Sequence, residues 1–354
     1  MRYPKSLKEG GTIGFIAPSF GCAIEPYKTR FENAIKVFTE MGYKVWLGPN
    51  CYEGSGVGIS NTPQLCGDEL NSAMSGDDRE RSDVIITCGG GELMCEVVPF
   101  IDFERIAKSE PKWYMGYSDN TNFTFLSATL ADTAAIYGPC APAFGRTPWH
   151  SSIDDALKLL KGETFEVGGY ELWEKNEDSD DESEADFTAP YNVTEKKEIV
   201  YYLPEQKKAE KGLAANMKGR LLGGCIDILT LLCGTKYDKV SDFIEKYRED
   251  GIIWFLESCD LDMLSLRRAF WQMREAGWFD NSKGFLIGRP LHFGEDCFGV
   301  NQYNAVTDII GELGVPIIMD LDIGHLPPMM PLVCGSMAEV KVSGNDIKIK
   351  YDFN

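Results

Sequence analysis

The sequence predicts an α/β protein of two domains, and three observations predict it. Through residues 12–137, short apolar segments of strand length alternate with segments of helical period. Turns rich in Gly or bearing a Ser follow three of those strands, at Ala17-Pro18-Ser19, Gly89-Gly90-Gly91 and Gly116-Tyr117-Ser118. The alternation then breaks over residues 168–216 and resumes, in a chain of 354 residues that is long for one hydrophobic core.

Taken in order, residues 12–17 (TIGFIA) read as a strand, and Tyr27, Phe31, Ala34, Ile35, Phe38 and Met41 as one face of a helix that stops at Gly42. A strand over 43–47 follows. Thr62 is placed to cap the next helix, with Pro63 in its first turn. Residues 83–87 (DVIIT) form a third strand, followed by the Gly triplet and a helix through Val98. The strand at 113–115 stops at Gly116, a helix over 122–130 carries Phe123, Leu126 and Leu130 on one face, and a strand follows at 134–137. Near-continuous apolar strands alternating with helices predict a parallel, flavodoxin- or Rossmann-like sheet for domain 1–167. Residues 168–216 read as an acidic linker or surface excursion. A second α/β domain is expected over 217–354, with strands at 252–256, 285–287 and 316–321, a helix carrying Met263, Leu266, Phe270 and Met273, a helix from Asn301, and a closing hairpin about Gly344-Asn345.

Composition narrows the function classes. The formal net charge of −20 argues against nucleic acid or an anionic membrane surface as partner. Nine acidic residues and one Lys between Glu171 and Asp186 supply −8 of that charge. No run approaches the roughly 18 apolar residues of a membrane span, and the charged opening MRYPKSLKEGGTIGF is unlike a signal peptide, so a cytoplasmic protein is expected. Eleven cysteines without a C-x-x-C read as reduced thiols, with no metal and no cofactor implied.

In an open parallel sheet, ligands sit beyond the carboxyl ends of the strands, where the three turns fall. Ser118, between a strand's end and a helix's start, has the setting of a nucleophile elbow, with Asn120 where G-x-S-x-G has its second Gly. The Gly triplet suits an oxyanion or a phosphate equally. A serine nucleophile needs a histidine base and a carboxylate to orient it. Of three histidines, His150 reads as a surface position, while His292 and His325 both follow strands of the second domain. Glu257, directly after the apolar run Ile252-Ile-Trp-Phe-Leu256, fits the carboxylate. A non-catalytic two-domain ligand-binding protein would show the same Gly turns, but would have no reason to place Ser, Glu and His in this way.

These residues carry a resemblance. Gly14-Phe-Ile-Ala-Pro-Ser19, Cys88-Gly-Gly-Gly91, Gly116-Tyr-Ser-Asp-Asn-Thr121, Tyr137-Gly-Pro139, Gly219-Arg-Leu-Leu-Gly-Gly224, Phe255-Leu-Glu257 and Asp322-Ile-Gly-His-Leu-Pro327 resemble, in order, the LD-carboxypeptidase (murein tetrapeptide carboxypeptidase) family of serine peptidases, which includes the microcin C immunity peptidases. The likeness runs from about residue 5 to residue 340. It implies a cytoplasmic, homodimeric serine peptidase without metal, acting in a cleft between its domains, with Ser118 as nucleophile, His325 as base and Glu257 as its orienter. The amides of Asp119, Gly90 and Gly91 would form the oxyanion hole. Cys225 stands where many members have Asn, and Cys88 where an Arg is common; these departures bear on the substrate rather than the reaction. The expected activity is release of the terminal D-Ala from murein tetrapeptide, with hydrolysis of aminoacyl-nucleotide conjugates as the alternative. Trp173 is the candidate mobile aromatic for stacking on a nucleobase, and Cys225 a second candidate substrate contact.

Overall fold

The computed structural model describes residues 1–175, 186–206 and 208–353. It divides into two compact units. The first holds residues 1–164, 186–191 and Pro331–Cys334. Its parallel strands are β1 (Thr12–Ile16), β2 (Lys44–Leu47), β3 (Val84–Thr87), β4 (Trp113–Gly116) and β5 (Ala135–Tyr137), in the order β5-β4-β3-β1-β2. The strand Leu332–Cys334 adds to β5 antiparallel at the edge. Every residue of β3, β4 and β5 is buried, as helices on both faces require. Helix α1 (Tyr27–Glu40) buries Phe31, Ala34 and Phe38, and Phe31 meets Phe15 of β1 edge-on at 5.2 Å. Thr62 caps helix α2 (Pro63–Ser75) by accepting from the Leu65 N–H, as its sequence predicts.

The second unit is built on a nine-stranded sheet. At its centre, Ala214–Cys225, Ile252–Glu257, Ser282–Gly288 and Ile317–Leu321 run parallel; the second and fourth are buried throughout, and the other two over their carboxyl-terminal halves. The hairpin Met337–Ser343 and Asp346–Asp352 alternates buried and exposed residues, so one face is packed and one solvated.

Three expectations change. The stretch 168–216 is not only a linker, because Val200–Tyr202 pairs with Ile317–Leu321, Glu210–Lys211 with Val200–Tyr202, and Ala214–Cys225 is the longest strand of the sheet. Its acidic core, residues 176–185, lies outside the described residues. The boundary at 217 is also redrawn: residues 192–216 belong to the second unit, while Pro331–Cys334 returns to the first. After the Gly triplet the chain makes short 3-10 turns at Met94–Glu96 and Val98–Phe100 instead of a helix, the second with Pro99, which has no N–H, in its first turn.

Candidate active site

The candidate residues divide between the units. In the first, β4 ends at Gly116, Tyr117 is extended, and Ser118 takes a left-handed φ of +62° before a short turn feeds helix Thr121–Ala131. Left-handed backbone is uncommon for a residue with a side chain, and it costs on the order of 1–3 kcal/mol that the surroundings must supply. Here Asn120, fully buried, supplies much of it. Its Nδ2 donates to the Gly89 carbonyl at 2.7 Å and the Tyr117 carbonyl at 3.1 Å, while its Oδ1 accepts from the Tyr114 hydroxyl at 2.6 Å. The residue standing where the motif has Gly is therefore the clamp that ties the serine turn to the Gly loop. The Ser118 N–H donates to the Tyr137 hydroxyl at 3.2 Å.

The Gly loop lies against this turn. A Cβ on Gly91 would come 2.3 Å from Ser19 Oγ and 2.9 Å from the Gly58 carbonyl, so that position excludes a side chain, while one on Gly90 would come 3.1 Å from Ser118 Oγ, a tight but accommodable contact. Asp119 is 1% exposed, and its carboxylate accepts from Ser19 Oγ at 2.5 Å, the Met94 N–H at 2.9 Å and Asn122 Nδ2 at 2.9 Å. Burial pushes its pKa up to about 6 against the pull of these hydrogen bonds. The side chain thus fastens three segments around the turn, and its amide is the part left for an oxyanion role. Sequence reading missed Glu69, a buried acid on α2 whose carboxylate accepts from the Ala17 and Asn50 N–H groups, each at 2.9 Å, and so joins the ends of β1 and β2. Burial raises its pKa to about 7. The available signal was an acid among Cys66, Leu70 and Ala73 on the core face of α2.

In the second unit, Glu257 ends the buried strand Ile252–Glu257, and its Oε2 lies 2.9 Å from Nδ1 of His325. The carboxylate side chain is fully buried and the imidazole is 14% exposed. His325 sits in the loop after Ile317–Leu321, and two glycines let that loop approach: a Cβ on Gly324 (φ +108°) would lie 2.4 Å from Glu257 Oε2, and one on Gly288 would lie 2.1 Å from the Ile323 carbonyl. Burial is the largest single influence and opposes charging of the imidazole, but the Glu257 carboxylate and Cys259 together outweigh it and hold the His325 pKa well above 6.5. The Cys259 thiol hydrogen-bonds to the same ring. Asp227 fixes the turn that carries this thiol, accepting from the Cys259 and Asp260 N–H groups at 3.1 and 2.8 Å. Sequence reading found neither residue, since nothing local marks them.

The other histidines differ. His292 pairs with Glu295 at 2.9 Å on the exposed surface, and His150 caps helix Ser151–Lys161 through Nδ1. Cys225 pairs with Glu257 in the strand register, is 2% exposed, and directs Sγ to Asp227 Oδ2 at 3.4 Å; burial pushes its thiol pKa well above 9. Trp173 differs from the mobile aromatic expected. It is 4% exposed, its indole N–H donates to the Lys196 carbonyl at 3.3 Å, the Arg289 guanidinium lies 4.7 Å from its ring, and Phe293 packs edge-on at 5.0 Å. A buried guanidinium draws the indole face, and the excursion is packed rather than free at this point. Among the described residues no group of three or more His, Cys, Asp or Glu side chains has metal-holding geometry, and no helix is long and apolar enough to cross a membrane.

A serine on a strand-to-helix turn and a buried carboxylate–histidine pair, both on parallel-sheet scaffolds, are equipment of the kind serine hydrolases carry. The chain belongs to the LD-carboxypeptidase family: residues 13–138 match its N-terminal domain and residues 218–340 its C-terminal domain. It is therefore a member of a family of serine-type carboxypeptidases. It is 25% identical over 359 residues to the microcin C7 self-immunity protein MccF of Escherichia coli, covering 98% of this chain and 95% of that one. It is 22% identical to "Putative carboxypeptidase YocD" of Bacillus subtilis over 99% of both chains. Among solved structures, an MccF-like protein from Bacillus anthracis superposes with a TM-score of 0.78 at 23% identity, covering 99% of this chain and 100% of that one, and shares the fold.

Proposed function

We propose that this chain is a cytoplasmic, homodimeric LD-carboxypeptidase that releases the terminal D-Ala from murein tetrapeptide in cell-wall recycling. Ser118 Oγ attacks the amide carbonyl. His325, oriented through Nδ1 by Glu257, takes the serine proton on Nε2 and passes it to the leaving amine. The amides of Asp119, Gly90 and Gly91 receive the developing oxyanion, and water then resolves the acyl-enzyme. The strained left-handed backbone of Ser118 and the 2.9 Å Glu257–His325 contact support these roles.

The observation that carries the choice of substrate is the burial of Trp173. Stacking on a nucleobase contributes roughly 1–3 kcal/mol and needs a free aromatic face. The Trp173 ring is occupied by Arg289 and Phe293. The net charge of −20 also disfavours a phosphate-bearing ligand, while a zwitterionic peptide is tolerated. A second reading, hydrolysis of aminoacyl-nucleotide conjugates, is favoured by the ligands of related structures, which include MccF with glutamyl sulfamoyl guanosine and an MccF-like protein from Streptococcus pneumoniae with AMP. Competition on purified protein decides between them. D-Ala release from murein tetrapeptide should exceed cleavage of an aminoacyl-sulfamoyl adenylate in kcat/KM, and the opposite ranking would transfer the chain to the second reading.

A further inference from the structure

The loop that carries His325 is anchored by a buried charge cluster to which the reaction above gives no role. Asp322 is completely buried, three residues before His325. Its Oδ1 accepts from Arg289, and its Oδ2 accepts from the Tyr170 N–H at 2.8 Å with Lys197 Nζ at 3.9 Å. Its own carbonyl accepts from the Met330 N–H at 2.7 Å and closes the neck of the loop. Arg289, 2% exposed, also donates to the Asp320 carbonyl at 2.8 Å at the end of the preceding strand, and its face is covered by Trp173. On the far side of the loop, the Glu174 N–H donates to the Pro327 carbonyl at 2.8 Å. The loop is thus gripped at its neck by charge and at its flank by backbone, and His325 is the residue between.

We propose that Asp322 and Arg289 are positioning residues that hold the His325 imidazole against Glu257. The proposal rests on the reading of His325 as the base. A buried pair of this kind adds little net stability, but losing one member leaves the other uncompensated and moves whatever it holds. The groups that titrate against the imidazole itself are Glu257 and Cys259, so the cluster acts on it through geometry.

The test separates geometry from field by sign. The protein has three histidines, so each imidazole can be followed by NMR in ¹⁵N-histidine-labelled protein, with His325→Gln identifying the resonance and His150 and His292 as internal references. Removing the negative charge in Asp322→Asn lowers the His325 pKa by either route. Removing the positive charge in Arg289→Gln raises it if the cluster acts only through its field, and lowers it if loosening releases the imidazole from Glu257. The expected result is a fall in both variants, with kcat reduced roughly 10-fold or more and KM changed by less than about two-fold. Opposite shifts, or none in either variant, overturn the proposal. Where a variant does not fold, Lys197→Gln carries the same sign test, with a fall in support and a rise or no change against. Because the titration needs no substrate, full activity in Ser118→Ala would remove the serine mechanism without touching this result.

Discussion

The serine turn and the histidine loop solve one problem, holding a single side chain in a fixed direction, by different means. Around Ser118 the work falls to uncharged groups, namely the Asn120 amide, the Tyr114 and Tyr137 hydroxyls and the backbone of the Gly loop. Asp119, next to Ser118 in the chain, adds a carboxylate that ties Ser19, the Met94 N–H and Asn122 around the turn. Around His325 the work falls to buried charge, with Glu257 on the ring itself and Asp322 with Arg289 at the neck of its loop. The neutral hydrogen bonds of Asn120, Tyr114 and Tyr137 do not change with pH, whereas the Glu257–His325 pair has its state set by protonation. In the proposed mechanism the serine region supplies geometry, and the protonation of His325 sets when that geometry can react.

The largest effect should come from removing either reacting group. Ser118→Ala and His325→Ala should each lower kcat on the order of 10³-fold or more, with the double variant little worse than either single one, as for groups that act as a unit. Full activity in Ser118→Ala would sink the serine mechanism, and loss in His292→Ala, expected within about two-fold of the parent, would show that the base was wrongly chosen.

Next comes the charge that distinguishes the two regions. Because Glu257 and Cys259 hold the His325 pKa well above 6.5 and the base must be neutral to accept a proton, the acid limb of kcat/KM should lie above pH 6.5. Glu257→Gln removes the carboxylate's raising influence and leaves burial with Cys259, so the limb should move down in pH while the plateau falls about 10²-fold or more. An unmoved limb would mean that another group titrates. By linkage, the stability that the His325–Glu257 pair contributes is fully present below the unfolded imidazole pKa near 6.5, and is lost as pH rises through the higher folded value.

A smaller, pH-independent loss is expected from Asn120→Ala, which breaks the serine turn without touching a charge. Leaving the Tyr114 hydroxyl and the Gly89 carbonyl unsatisfied should cost about 1–3 kcal/mol for each group, and kcat should fall about tenfold with the acid limb in place. A shifted limb would erase the contrast drawn between the regions.

The smallest effect on activity is expected at Glu69, whose contribution is to stability. Its folded pKa of about 7 lies above the ordinary 4.5, so its contribution to stability is present below pH 4.5 and is lost as pH rises through 7. Glu69→Gln, which cannot ionise but can accept only one of the two N–H bonds, should lower stability at every pH while removing a decline of up to about 3 kcal/mol between those limits. Parallel stability curves for parent and variant, measured by denaturant titration at several pH values, would count against it.

What the sequence determined by itself is local. A strand that must stop at Gly116 before Ser118, an apolar run that delivers Glu257 at its end, and the alternation of strands and helices follow from side-chain periodicity and turn chemistry within a few residues. Ser118 and Glu257 could be singled out on that basis. Tertiary structure decided what depends on partners distant in the chain. His292 and His325 both follow strands, and only the 2.9 Å contact across 68 positions gives His325 a buried carboxylate. Trp173 has the sequence setting of a free aromatic in an acidic excursion, and Arg289, 116 residues later, buries it. Likewise the short strand Leu332–Cys334 joins β5 of the first unit, although its chain neighbours belong to the second, because strand pairing is chosen by complementary edges and not by sequence proximity.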